Sequence, residues 1–438
     1  PLMLIAMSSC AFALVFAIAM VAIASAGSSS GMYTSTADFE SGDGVSVSAV
    51  DDMLKLDGTS RSFSSIWVAA SGHGTVVRID TRTGKVLGEY RTAPEGRPTN
   101  PSRTTVDKNG NVWVGNRDEA ETLPNGRRGS VAHVGLEENG QCEDRNGNGK
   151  IDTSTGLGDV RSWPNQGEVD TPGGVTTASD ECIIHYVRTL GPQIRHVSVD
   201  RDNNVWVAGS AFALYNSNFY ELLSPTGETL RSIGFGRSYC CYGGLVDKAG
   251  RMWSSTVFGA NVFRIDSGAT QLNDVPIGDF SYGMGIDNDQ NVWVANWTSC
   301  SVTKLKNDDG TVIGRYSVGG CWGRGGNGSR GVVITPDDNN VWVANSGTDT
   351  VSRLSNSGAL LTQVGVGELP TGLAVDTDGK VWVTNYLGSN VQRIDPATNE
   401  VDLTVPLRPD SYPYNYSDMT GSTLVGAPPS GSWSAVHD

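Results

Sequence analysis

The sequence predicts an all-β fold, a seven-bladed β-propeller, preceded by an N-terminal hydrophobic α-helix and interrupted by one large insertion. Three observations carry this. A Val-Trp-Val or similar core recurs at Trp67, Trp113, Trp206, Trp253, Trp293, Trp342 and Trp382, and most spacings between these residues are 40 to 49, the length of a four-stranded blade. An Asp stands six residues before the Trp at Asp107, Asp200, Asp247, Asp287 and Asp376, and a basic residue followed by Ile or Leu returns about a dozen residues after it, as in Arg78-Ile79, Arg264-Ile265, Lys304-Leu305, Arg353-Leu354 and Arg393-Ile394. Gly makes up 55 of 438 residues and helical periodicity is missing beyond the N-terminus, which suits many short strands joined by tight turns.

Residues 1–26 hold no charged residue, no Gly and no interior Pro. As a helix they reach roughly 39 Å, enough to span a bilayer. Ala24-Ser25-Ala26 fits the cleavage site of a secretory signal. Against that, no Lys or Arg precedes the apolar run, the run exceeds the ~7–15 residues of a usual signal core, and the chain starts at Pro1. Small residues at Ala6, Cys10, Ala13, Ala17, Ala22 and Ala26 recur at near-helical spacing, which lets helices approach closely. The segment resembles the N-terminal helix of type IV pilins. It lacks the carboxylate that bacterial pilins carry near their start, so the archaeal type is the closer match. This resemblance covers the segment alone and implies a helix that bundles with its own copies into a filament core and meets the membrane only before assembly. A cleaved signal and a membrane anchor are the competing readings. Residues 27–60 form a linker or stalk, opened by the helix-breaking Gly27-Ser-Ser-Ser-Gly31 and carrying one alternating run at 44–50.

The propeller is expected over 61–425, followed by a tail at 426–438. In each repeat a strand ends at Asp, a turn rich in Asn, Asp and Gly follows, and the chain returns as Val-Trp-Val. Asn109-Gly110 and Asp378-Gly379 need the positive φ that Gly tolerates. The uninterrupted apolar strand implies burial on both faces, as between stacked blades. The first repeat lacks its Asp turn, and residues 415–421 follow the seventh blade without a Val-Trp-Val. The C-terminal strand is therefore expected to complete the blade begun at Ile66, which removes the edges a half-blade would leave. On Gly372-Leu-Ala-Val-Asp376 and Val381-Trp-Val383 the chain resembles the propeller superfamily of NHL-repeat, YncE-like and virginiamycin B lyase-like proteins. That resemblance speaks for fold and not for function.

The one irregular spacing, from Trp113 to Trp206, holds an insertion at 137–182. Within it Asp144-Arg-Asn-Gly-Asn-Gly-Lys-Ile-Asp152 places oxygen side chains at positions 1, 3, 5 and 9 of a loop. This matches the start of an EF-hand or dockerin-type calcium loop, with Asp144, Asn146, Asn148 and Asp152 as side-chain ligands and Lys150 giving its carbonyl. Position 12 is Thr155, so the closing carboxylate must come from farther on, and Asp180 and Glu181 are the candidates. Thr177-Ala-Ser-Asp180 reads as a capping box opening a short helix.

Six Cys follow the N-terminal segment, which suits disulfides in an oxidising compartment. Cys142 with Cys182 brackets the loop, Cys300 with Cys321 joins adjacent strands, and neighbouring Cys240 and Cys241 either bond each other or reach out to other partners, while Cys10 stays free. Sequons at Asn296, Asn327 and Asn415 point to glycosylation. The net charge of −15 excludes nucleic acid as a partner. Virginiamycin B lyase-like enzymes use His and acidic residues with magnesium. The five His here, at 73, 133, 185, 196 and 437, occupy no equivalent positions of neighbouring blades, and no nucleophile elbow or phosphate loop occurs. The sequence thus reads as a non-catalytic subunit of an extracellular, cell-surface filament displaying a calcium-bound propeller that adheres to a surface glycan or protein. A secreted propeller lyase and a membrane-anchored calcium-dependent adhesin are the alternatives.

Overall fold

From Trp113 onward each Val-Trp-Val or similar segment forms the second strand of a four-stranded antiparallel sheet, and every residue of these strands is buried, as in Val112–Asn116 and Val381–Asn385. Burial on both faces is what a blade between two others requires. The computed structural model describes residues 64–210, 218–236, 240–323 and 328–421, with the backbone of 47–50 and 53–56. The chain divides into a unit at 1–57 and a unit at 58–438. In the first, Val47–Val50 pairs antiparallel with Met53–Leu56, so the last four residues of the alternating run form a strand. The pilin-like helix, Cys10, Asn327 and the tail lie outside the described residues.

In the second unit, six sheets of four strands run in simple sequence order, at 101–189, 194–235, 244–276, 281–317, 329–365 and 370–406, here blades 2 to 7. Inner strands of consecutive blades neighbour one another, giving the all-β seven-bladed propeller. Blade 1 has three strands, Ser65–Ala70, Thr75–Asp80 and Val86–Arg91. Its fourth comes from the far end of the chain. Pro413 bridges Ala70, Tyr414 N–H donates to Ala69 O, and Trp67 N–H donates to Met419 O. Asn415 strengthens the seam by accepting from Ala69 N–H at 2.8 Å. The closure expected from the sequence is present, although side-chain bonds replace much of a regular ladder.

The repeated Asp explains the turn and the Trp together. In Asp376 one carboxylate oxygen accepts the N–H groups of Asp378 and Lys380, closing the turn, and the other accepts the indole N–H of Trp382 at 2.7 Å. Asp247 and Asp287 hold Trp253 and Trp293 in the same way at 3.0 Å. The recurring basic residue lies over the same ring, as Arg264 over Trp253, Lys304 over Trp293 and Arg393 over Trp382, a cation–π contact on the blade's outer side. Gly110 and Gly379 take φ of 82° and 72°, as their turns demand.

The insertion leaves blade 2 after its third strand, Gly129–Val134, and returns as its fourth, Ile183–Thr189. The short helix expected after Thr177 is not formed. Asp180 does cap backbone amides, but those of Ser154 and Cys182, and it also accepts from Thr153 Oγ1. Residues 183–189 instead pair with blade 2, where His185 faces His133. A long-range strand partner overrides the local capping signal.

Candidate functional site

The calcium-type loop folds around its first residue. Asp144 accepts the N–H groups of Gly147, Asn148 and Gly149 through its two oxygens, so an Asp at position 1 with Gly at 4 and 6 winds the chain tightly. The two carboxylates proposed to close the loop part company. Glu181 accepts Asn146 N–H at 3.0 Å and Asp152 N–H at 2.7 Å, whereas Asp180 faces away toward Thr153 and Ser154. Asp152 receives the side-chain amides of Asn146 and Asn148 and the ammonium of Lys150 at 2.8 Å. These bonds, Lys150 first, draw its carboxyl down to about 2. Among the described residues no three His, Cys, Asp or Glu side chains gather closely enough to hold a metal by themselves. A cation here would also draw on the amide oxygens of Asn146 and Asn148 and the Lys150 carbonyl, the mixed oxygen set that calcium takes.

Cys142–Cys182 and Cys300–Cys321 join as expected, and of the two readings left open for Cys240 and Cys241 the structure has the vicinal bond. Two sequons depart from expectation. Asn296 is fully buried in its strand and donates to Ser301 and Thr303, and Asn415 is fully buried in the closing seam and donates to Thr104. An amide nitrogen that carries a sugar must reach solvent, so the folded propeller offers neither.

Among the described residues the histidines form no open pair with a carboxylate. His133 stands 3.4 Å from Asp107 and its Nδ1 meets His185 Nδ1 at 3.0 Å, all stacked on Trp113 in blade 2. Burial pushes His185 down to about 4 and His133 below its ordinary value. His196 is fully buried, pushed down to about 3 by burial and the nearby Arg103, and it bonds Ser198. His73 is half-buried and contacts the Pro409 carbonyl.

A cluster that sequence reasoning missed lies at the end of the propeller where the inner strands begin. The ladder between first and second strands slips beside Ser102, Arg195, Tyr282, Arg330 and Thr371. Such bulges re-aim side chains. Each of these residues, like Tyr242, stands five positions before the Asp of its repeat, or before Thr335 where blade 6 replaces it. The next position is Gly in blades 4 to 7, and a Cβ there would strike the neighbouring inner strand, as Gly283 on Arg330 O and Gly372 on Asn415 O. Blade 2 has Arg103 at that place.

Arg103 is wholly buried, lies over the rings of Tyr416 and Tyr242, and donates from Nη1 to Ser102 O at 2.6 Å, while among the described residues Nε and Nη2 have no hydrogen-bond partner. Arg195 reaches Tyr242 Oη at 3.1 Å, Arg330 lies 5.4 Å over Tyr282, and Arg117 lies 4.5 Å over Tyr414. Tyr282 and Tyr414 share a short hydroxyl–hydroxyl bond. Burial pushes the Tyr414 phenol up, but Arg330, Arg117 and Arg103 together bring it down to about 8, whereas burial and the neighbouring Tyr414 push Tyr282 well above its ordinary value. Beside the cluster opens a pocket of about 370 Å³ whose wall includes Arg117, Asp118, Asn100, Tyr386 and Tyr412. The five-before-Asp position was the available signal. It required knowing the register, because these residues share no chemistry along the chain until the ring closes.

The fold and this axial end define a seven-bladed propeller of the kind seen in several enzymes and in proteins without assigned roles. The chain is similar in structure to virginiamycin B lyase from Staphylococcus aureus (TM-score 0.51, 14% identity, 74% of this chain and 90% of that one). It is similar also to hydrazine synthase from Kuenenia stuttgartiensis (0.54, 16%, 77% and 93%) and to a functionally unknown protein from Desulfotomaculum acetoxidans (0.56, 11%, 80% and 98%). At these identities the likeness is one of fold. No family model matches the chain, and no curated protein sequence does.

Proposed function

We propose that this chain is a structural, non-catalytic subunit of an extracellular filament, in which the helix at 1–26 packs against its own copies and the propeller is displayed as a calcium-bound adhesive domain. The observation that best supports display outside the cell is the way the insertion is held. A segment too polar to make its own core is fixed by the Cys142–Cys182 bond and by Glu181 bracing the Asp144–Asp152 loop. Disulfides persist in oxidising compartments, and a calcium loop suits a calcium-rich exterior. Catalysis of the lyase kind draws no support from His133 and His185, which stack on Trp113, or from His196, which is fully buried beside Ser198.

The filament part rests on the uncharged, Ala-rich sequence of residues 1–26. Such a helix hides its surface only in lipid or against other helices, and small residues favour the latter. Replacing Ala13 and Ala17 with Leu is expected to abolish filaments under negative stain while leaving the propeller's circular dichroism and calcium uptake intact. Undiminished filaments in that double variant would overturn the helix-packed core.

A further inference from the structure

We propose that the axial arginine–tyrosine cluster and the pocket beside it form a binding site for an acidic sugar, a polyhydroxylated ring bearing a carboxylate or phosphate. The site belongs to the propeller alone, so its test and that of filament assembly fail separately.

The positive side of the site is built, not incidental. In a chain of net charge −15, bulged inner strands and the second strand of blade 2 bring Arg103, Arg117, Arg195 and Arg330 to one end of the axis. Arg103 is fully buried with two nitrogens unbonded, and among the described residues no carboxylate pairs with it or with Arg117. A guanidinium keeps its proton in proteins, and a buried charge without a counter-ion is costly. Of the four, Arg117 lines the pocket; an oxyanion there meets the fork geometry guanidinium favours, and the positive field of the buried Arg103 behind it adds to the attraction.

The rest of the pocket selects what carries the oxyanion. Tyr386 and Tyr412 stand 5.2 Å apart, and Tyr386 also meets Tyr414, so aromatic faces wall the space above the cluster. Asp118, whose Oδ2 accepts from Asn100 Nδ2 at 2.9 Å, is exposed at the same wall. A carboxylate repels a simple anion but accepts hydrogen bonds from hydroxyl groups. A ring with an apolar face, hydroxyls for Asp118 and an anionic group for Arg117 satisfies all three, and about 370 Å³ is the size of a small-ligand pocket.

The test is calorimetric titration of the full chain with glucuronate, glucose 6-phosphate, glucose and inorganic phosphate. Both acidic sugars are expected to bind, glucose to bind at least about tenfold more weakly, and the stronger acidic sugar to show whether carboxylate or phosphate is the natural group. Arg117→Gln, half-exposed and outside every blade core, is expected to weaken acidic-sugar binding about 10–100-fold, the range of one charge-assisted bond. Asp118→Asn is expected to weaken the sugars and leave or improve inorganic phosphate. Tyr414→Phe supplies a readout that a mere folding role would not move: wild-type affinity falls as pH rises through about 8, because the tyrosinate competes for the arginines, and the variant loses that fall. Failure of both acidic sugars to bind, equal binding of glucose, or unchanged affinity in folded Arg117→Gln would overturn the proposal.

Discussion

Asp287 ties its turn to Trp293, Asn356 and Lys304, and Asp287→Ala tests the logic of the repeat. One oxygen closes the turn on Asn291 N–H at 2.7 Å. The other accepts the Trp293 indole, the Asn356 amide and the Lys304 ammonium, each at 3.0 Å. Removing the carboxylate strands a buried indole N–H, worth about 1–3 kcal/mol, and leaves a nearly buried ammonium without its partner, worth about 3–5 kcal/mol. The two losses overlap, since Lys304 keeps Asn356 and the Trp293 ring, so about 4–5 kcal/mol is expected in total. Asp376→Ala is the control. Asp376 holds its turn and Trp382 but, among the described residues, no ammonium or guanidinium bonds it, so about 2–3 kcal/mol is expected. Urea unfolding followed by Trp fluorescence measures both. The pH dependence separates them further. Burial raises the Asp287 carboxyl, but Asn356, Trp293 and Lys304 outweigh it and leave it below the ordinary 3.8. Its contribution is therefore present above 3.8 and lost as pH falls through its lowered value. Burial leaves Asp376 above 3.8, so its ionisation costs stability as pH rises past that point. A smaller loss for Asp287→Ala than for Asp376→Ala, or a gap that persists once pH has fallen through the lowered Asp287 value, would refute the reasoning.

Three other expectations follow from the same geometry. Asp144→Ala is expected to abolish calcium uptake by calorimetry and Glu181→Gln to weaken it about 10–100-fold, while Asp180→Asn, which alters bonds to Thr153 and Ser154, leaves it unchanged; equal effects at 180 and 181 would contradict the assignment. Reducing Cys142–Cys182 opens a closure of 40 residues, worth about 4 kcal/mol in chain entropy, and hydrogen exchange should quicken at 183–189 before it does in blade 6. The lowered value of about 3 for His196 against an ordinary 6.5 means stability is whole above 6.5 and drains as pH falls toward 3; His196→Gln should flatten that slope, and an unchanged slope would place the titration elsewhere.

The blades were legible because the Asp of the repeat closes the turn before its Trp and, in blades 4, 5 and 7, also bonds that Trp within one hairpin, so much of the pattern along the chain is the structure. The seam between Ile66 and the C-terminal segment was legible for a different reason, since an incomplete first repeat and a surplus last one require each other. The stretch at 180–186 was misread as helical because Asp180 caps amides in either reading, and only the distant strand at 129–134 decides between them. Buried Asn296 and Asn415 show the same limit: a sequon records three residues, not the neighbours that take the amide. The axial cluster lay beyond local pattern altogether. Arg195, Tyr242, Tyr282 and Arg330 look unrelated in sequence and become one site only when bulges turn them to a common axis.

The most direct measurement is N-terminal sequencing of the native protein taken from cell surfaces, combined with negative-stain microscopy of the same material. The account predicts chains that retain residues 1–26 and filaments that carry propeller-sized lobes without detergent. Protein that begins at Gly27 and runs as a soluble monomer would contradict it.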